Sequence, residues 1–144
     1  MKISTKGRYG LRALVDLASN TQNSAVSLVN VAGRQRISLN YLEQVFGLLR
    51  KAEIVKSTKG SQGGYMLACN AEDLKVGTIL RALEGKFSIV DETDDDVPKD
   101  RIQWAIQELV WDEINCSIQT FLDKITLADL VERYQILSSM KKIR

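Results

Sequence analysis

The chain of 144 residues contains no histidine, a single proline and only two cysteines. Without histidine the commonest general acid–base is missing. No glycine loop ends in Gly-Lys-Ser/Thr, and no paired carboxylates stand in register around a cleft signal. An enzyme is therefore not expected. Cys69 and Cys116 lie far apart and read as free thiols of a reducing compartment. Cys116, among apolar neighbours in a helical pattern, is expected to be a small core residue, and Cys69 to be partly exposed. A redox sensor needs a depressed thiol pKa, and no cations cluster around either cysteine in sequence. No apolar run approaches the ~18 residues of a membrane span, and the N-terminus, Met1 to Gly10, is polar and basic with no signal-peptide core behind it. The expected compartment is the cytoplasm, with no membrane association.

What is present is a charge split. Residues 1–67 carry ten Lys/Arg against three Asp/Glu, a net of +7, and residues 68–144 carry ten against fifteen, a net of −5. Such asymmetry points to one surface made for a polyanion. Apolar residues make up 44%, enough to bury a core.

Ser4 or Thr5 can cap a first helix to about Asn20, with Leu11, Leu14, Val15 and Ala18 as its apolar stripe. Ser27 caps a short helix from Leu28 to about Gln35, with Leu28, Val31 and Ala32 inward. After a tight turn at Arg36 and Ile37, Ser38 caps a third helix to about Lys51, which buries Leu42, Val45, Phe46 and Leu49. The period then changes. Ile54–Thr58 reads as a strand, Lys59–Gly64 as a loop and Tyr65–Leu67 as a returning strand. The fold class is mainly α with a small β-hairpin: a winged helix-turn-helix domain over residues 1–85, including a helix from Val76 to Glu84. An acidic loop over 86–100 follows, then a dimerisation helix and a C-terminal helix over 101–137, and a basic, frayed tail over 138–144.

In a helix-turn-helix the second helix of the pair enters the major groove N-terminus first. That places Ser38, Asn40, Tyr41, Glu43 and Gln44 toward base edges. Glu43 is anomalous in a basic domain. A carboxylate is repelled by phosphates, and it supplies specificity only if it accepts from cytosine N4; otherwise it is a solvated residue near a helix N-terminus. Lys6, Arg8, Arg12, Arg50, Lys51 and Lys56 are candidates for phosphate contacts, which position without reading sequence. Lys59 stands at the wing tip, where a cation can enter a narrow minor groove. Gly60, Ser61 and the glycines beyond let backbone approach phosphates closely. The acidic run Asp91–Asp96 lacks the central Gly and terminal Glu of a calcium loop, so no metal site is expected.

Arg101 to about Lys124 is the longest helical pattern, roughly 35 Å. Ile102, Ile106 and Leu109 form one apolar stripe; Val110, Ile114, Phe121 and Ile125 drift onto another. A helix apolar nearly all round is buried on both sides. One face is expected to pack on its own domain, the other on a second copy. Trp104 and Trp111, seven apart, are placed at this seam, where they would alternatively line a ligand pocket. Thr126–Asp129 reads as a capping box that starts the last helix, packed through Leu127, Leu130 and Val131.

Four segments together resemble a known family: Met1-Lys-Ile-Ser-Thr-Lys-Gly-Arg-Tyr-Gly-Leu11, Ile37-Ser-Leu-Asn-Tyr-Leu-Glu-Gln44, Leu49-Arg-Lys51 and Lys59-Gly-Ser-Gln-Gly-Gly-Tyr65. They resemble the IscR-like family of bacterial winged-helix transcriptional regulators, and Phe121–Leu130 resembles the region after that family's dimerisation helix. The resemblance implies a homodimer on a partly palindromic double-stranded operator. It implies base contacts from Ser38, Asn40 and Glu43 and a minor-groove contact from Lys59.

Three residue patterns depart from the family. Members that hold an iron–sulfur cluster carry three cysteines before the long helix, whereas residues 87–100 carry none here, so no cofactor is expected. Lys59 replaces a frequent Arg, and lysine lacks the planar fork. Glu53 stands where relatives have Gly. A left-handed residue there would cost Glu roughly 1 kcal/mol, so a differently built turn is expected. Without a cluster the chain is similar to the family's cysteine-metabolism repressors. That likeness implies a possible regulatory protein partner, an enzyme of cysteine synthesis. The competing reading is an interaction module that binds such an enzyme rather than DNA.

Overall fold

The computed structural model describes residues 3–21, 24–61, 63–85, 88 and 100–142. The acidic run Asp91–Asp96, Pro98 and the last two residues lie outside the described residues.

Helix α1 (Thr5–Asn20) packs on α2 (Leu28–Gln35), α3 (Leu39–Lys51) and α4 (Val76–Glu84). The expected stripe on α1 is rotated. Leu14 is fully buried, but Leu11, Val15 and Ala18 are only half-buried, and the core side is Gly7, Gly10, Ala13, Leu14 and Leu17. A count of apolar side chains is blind to glycine. A Cβ on Gly10 would come within 2.3 Å of Leu83 Cδ1, so its absence draws α4 onto that side. Leu11 and Val15 instead line a groove of about 640 Å³ toward the last helix, with Leu130, Tyr134 and Leu137 opposite.

The local signals of the next two helices act as read. Ser27 Oγ accepts from Val29 N–H at 3.2 Å and Ser38 Oγ from Tyr41 N–H at 3.1 Å. Leu42, Val45, Phe46 and Leu49 are buried. The turn between α2 and α3 places Arg36 in the left-handed region (φ 56°), while Ile37 N–H returns to Ala32 O at 3.1 Å.

Glu53 corrects the expectation of a different turn. It is left-handed (φ 60°), with Glu53 N–H bonded to Arg50 O at 2.9 Å and Ile54 N–H to Leu49 O at 3.0 Å. These two bonds make a Schellman cap, sealed by buried Ile54 against buried Leu49. The packing behind the turn holds a residue that the local backbone disfavours.

Strands β1 (Val55–Thr58) and β2 (Gly64–Leu67) pair antiparallel, Val55 opposite Leu67 and Thr58 opposite Gly64. Val26 adds a bridge to Tyr65, whose ring meets Phe46 with centroids 5.1 Å apart. A Cβ on Gly64 would lie 2.3 Å from Val26 O, and one on Gly63 would lie 2.6 Å from Thr58 O. The close approach these glycines permit is therefore to the protein's own backbone.

Beyond α4, α5 (Arg101–Ile106), a π-helical turn (Gln107–Trp111) and α6 (Asp112–Leu122) run on with helical dihedrals throughout. Asp100 and Gln103 form a capping box at the start. The periodicity does not reveal the π turn, whose extra residue rotates everything after it. Trp104 and Trp111 consequently differ: Trp104 is exposed and Trp111 half-buried, its Nε1 buried without an acceptor among the described residues. No residue of α5, the π turn or α6 is buried within the single chain. The expectation that one face packs on its own domain is met in part: Trp111, Asn115, Ile118, Gln119 and Leu122 are half-buried, Asn115 donates to Ser88 Oγ at 3.2 Å, and just past α6 Asp123 is bridged at 2.9 Å by Arg81 on α4, which also donates to Gln119. Cys116 is exposed rather than a core residue, and Cys69 is exposed as well.

Helix α7 (Leu127–Lys142) begins at the expected capping box: Thr126 N–H to Asp129 Oδ2 at 2.9 Å, Asp129 N–H to Thr126 Oγ1 at 3.1 Å. Leu127 is buried in the N-terminal core, and its N–H bonds to Leu74 O at 2.8 Å. The helix continues through Lys142, so residues 138–142 are helical rather than a frayed tail. No described helix is long and apolar enough to cross a membrane.

Candidate nucleic-acid interface

The outer face of α3 is the side left over when Leu42, Val45, Phe46 and Leu49 turn inward. Ser38, Asn40, Glu43, Gln44 and Arg50 are exposed there. Lys6, Tyr41, Glu43, Gln44 and Arg50 line one groove of about 330 Å³ between the start of α1 and α3. Two sites more than 30 residues apart are thus brought together, and a cation from α1 lies beside the candidate base-contact positions. Glu43 makes no ion pair among the described residues, so its carboxylate is open to an external donor.

Tyr41 is half-buried, its ring edge-on to Tyr9 with centroids 6.0 Å apart. Arg8 and Arg12 place their guanidinium carbons 6.0 and 5.2 Å from the Tyr9 centroid. These cation–π contacts hold two of the candidate phosphate cations at the edge of the recognition helix. Lys59, Gly60 and Ser61 sit at the exposed tip of the wing, outside the α3 groove. Ser61 instead borders a polar groove with Ser27, Asn30 and Arg34 of the first helix of the pair.

Sequence reasoning missed what sets the height and tilt of α2. Asp16 on α1 is buried, 7% exposed, and accepts from Arg34 Nη2 at 2.7 Å, Arg34 Nε at 3.0 Å and Gln35 Nε2 at 2.9 Å. Bonding to Asp16 and its charge raise the Arg34 pKa further, so Arg34 stays a cation. Arg12 donates to Gln35 O, tying the end of α2 a second time. The only available signal was an acidic residue between Leu14 and Leu17.

A cluster-binding role does not fit this donor set. The chain has no histidine and two cysteines, and no group of three or more His, Cys, Asp or Glu gathers among the described residues. Burial and the charge of Asp73 push the Cys69 thiol up, away from the thiolate that iron requires.

Residues 3–133 match the Rrf2 family, described as iron-dependent transcriptional regulators. The chain is 41% identical to the HTH-type transcriptional regulator CymR of Bacillus subtilis over 130 residues, covering 90% of this chain and 89% of the relative. It is 38% identical to the HTH-type transcriptional regulator IscR of Vibrio atlanticus over 139 residues, covering 95% and 79%. The solved structure of CymR, the global cysteine regulator of B. subtilis, superposes with a TM-score of 0.77 at 39% identity, covering 92% of this chain and 98% of that one. The match spans the winged helix and the long helix alike, and the relatives are regulators rather than enzymes. The chain therefore belongs to the Rrf2 family of transcriptional regulators and is a DNA-binding regulator.

Proposed function

We propose that the chain acts in the cytoplasm as a homodimeric repressor that reads double-stranded DNA in sequence and works without an iron–sulfur cluster. The observation that carries this reading is the outer face of α3: unpaired Glu43 beside exposed Asn40 and Gln44, flanked by Lys6 and Arg50. Asn40, Glu43 and Gln44 face base edges, with Ser38 at the helix N-terminus. Tyr41, braced on Tyr9, sets the depth of entry. Lys6, Arg8 and Arg50 take phosphates, and Lys59, with Gly60 and Ser61, takes the minor groove.

Dimerisation follows from what the single chain leaves uncovered. Ile102, Leu109 and Phe121 are 70%, 77% and 61% exposed, with Trp104, Ile106, Val110 and Ile114 exposed beside them. So many exposed large apolar side chains along one helix mark an interface. A two-fold pairing of these helices sets two recognition helices on successive major grooves, about 34 Å apart.

The test is an anisotropy titration on promoter fragments across a salt series. The expected result is nanomolar binding to a subset of fragments, with affinity falling steeply as salt rises. Equal affinity for every fragment overturns the reading.

A further inference from the structure

We propose that Glu84 is a positioning residue for DNA binding: its carboxylate, at the end of α4, caps the N-terminus of α1 and holds Lys6 and Arg8 against the recognition helix. The proposal rests on the assignment of α3 and its flank as the DNA surface.

Four backbone N–H groups at a helix start have no partner within the helix, and a side chain at the N-cap usually accepts from one of them. Ser4 occupies that position on α1 but makes no such bond. Its hydroxyl donates instead to Glu84 Oε1 at 2.6 Å, and its N–H donates to the same oxygen at 2.9 Å. Gly7 N–H donates to it as well, at 3.0 Å. One carboxylate oxygen, 80 residues from Ser4 in sequence, thus accepts from two of the four orphan N–H groups at the start of α1, those of Ser4 and Gly7, and opposes the positive end of its dipole. The first turn of α1 has no acidic residue of its own to do this.

Gly7 is what admits the carboxylate. A Cβ there would stand 2.4 Å from Glu84 Oε1, so every side chain other than hydrogen displaces it. Lys6 and Arg8 flank Gly7 directly. Lys6 lines the groove with Glu43, Gln44 and Arg50, and Arg8 lies over Tyr9, which is packed on Tyr41. The first turn of α1 therefore carries two cations whose placement depends on one bond set at its start. Glu84 is also the residue before Gly85 (φ 80°), where the chain departs toward the long helix. The carboxylate ties that exit to the DNA-facing end of α1.

The experiment compares the full-length protein with Glu84→Gln, Glu84→Ala, Gly7→Ala, Lys6→Ala and the Glu84→Ala/Lys6→Ala pair, on one bound fragment and one random duplex. Wild-type protein that binds no DNA would overturn the DNA assignment itself. If wild type binds, Glu84→Ala is expected to lose affinity equally on both duplexes, leaving their ratio unchanged. For each lost phosphate contact its drop in affinity between about 50 and 200 mM salt shrinks by about 3.5-fold, the value for a slope change of about 0.9. Gly7→Ala is expected to behave like Glu84→Ala. Glu84→Gln, which folds with the same shape and keeps an accepting oxygen, is expected to lie between it and wild type. In the Lys6→Ala background the Glu84→Ala loss is expected to shrink, because the two act through one contact. A Glu84→Ala or Glu84→Gln protein with wild-type salt slope, or losses that simply multiply with those of Lys6→Ala, overturns the proposal whatever happens to thermal stability.

Discussion

Asp16 on α1 grips Arg34 on α2 through one edge of its guanidinium, Nη2 at 2.7 Å and Nε at 3.0 Å, with the carboxylate buried and the guanidinium side chain 42% exposed. The asymmetry predicts unequal costs. Removing Arg34 leaves a buried carboxylate with Gln35 as its main remaining donor, whereas removing Asp16 leaves a cation that water can reach. Arg34→Ala is expected to lower unfolding free energy by about 2–3 kcal/mol and Asp16→Ala by about 1 kcal/mol. Urea denaturation of both variants checks the order, and the reverse order refutes it.

Glu53 holds a left-handed conformation that glycine adopts freely. Glu53→Gly is expected to stabilise the domain by up to about 1 kcal/mol and to raise the melting temperature by about 2–4 °C. Its side chain is exposed past the C-terminal end of α3 and does not line the groove of Glu43 and Gln44, so DNA affinity should stay at the wild-type value. Calorimetry and anisotropy on the same preparation measure both.

Glu43 and Lys59 are expected to fail differently. Glu43→Ala should bring the affinities for cognate and random DNA closer together while keeping or raising the nonspecific value, since a phosphate-repelling charge has gone. Lys59→Ala should weaken binding most where A·T pairs narrow the minor groove. Competition titrations with single-position operator variants separate the two. Equal losses on cognate and random DNA for Glu43→Ala would count against base reading.

Leu109 is 77% exposed in the single chain, at the middle of the π turn. Leu109→Asp costs the isolated fold little and puts a charge in the apolar face of the long helix. Light scattering at micromolar concentration should report a monomer, with far-UV circular dichroism retained and operator affinity reduced. A variant that stays dimeric moves the interface elsewhere.

Much of the winged helix was legible because its signals are local. Ser27 and Ser38 cap helices within three residues of themselves, and the Thr126–Asp129 box closes over the same distance. The α3 face repeats with the helical period, so its inner and outer sides could be told apart. The face of α1 was misjudged because glycine carries no hydropathy signal. Cys116 was misjudged because apolar neighbours in a helix mean a core only when something covers them, and within one chain nothing among the described residues does.

The residues alone determined the order of elements, the family likeness, the excess of cations in the first half and the lack of thiolates for a cluster. Each follows from composition or from interactions within about one helical turn. The tertiary structure decided which groups meet across the chain: Glu84 at the start of α1, Asp16 under Arg34, Lys6 beside Glu43, and Arg81 against Gln119 and Asp123 at the end of the long helix. These pairings depend on how helices pack once glycines set their separation, and no periodicity within a single helix encodes that distance.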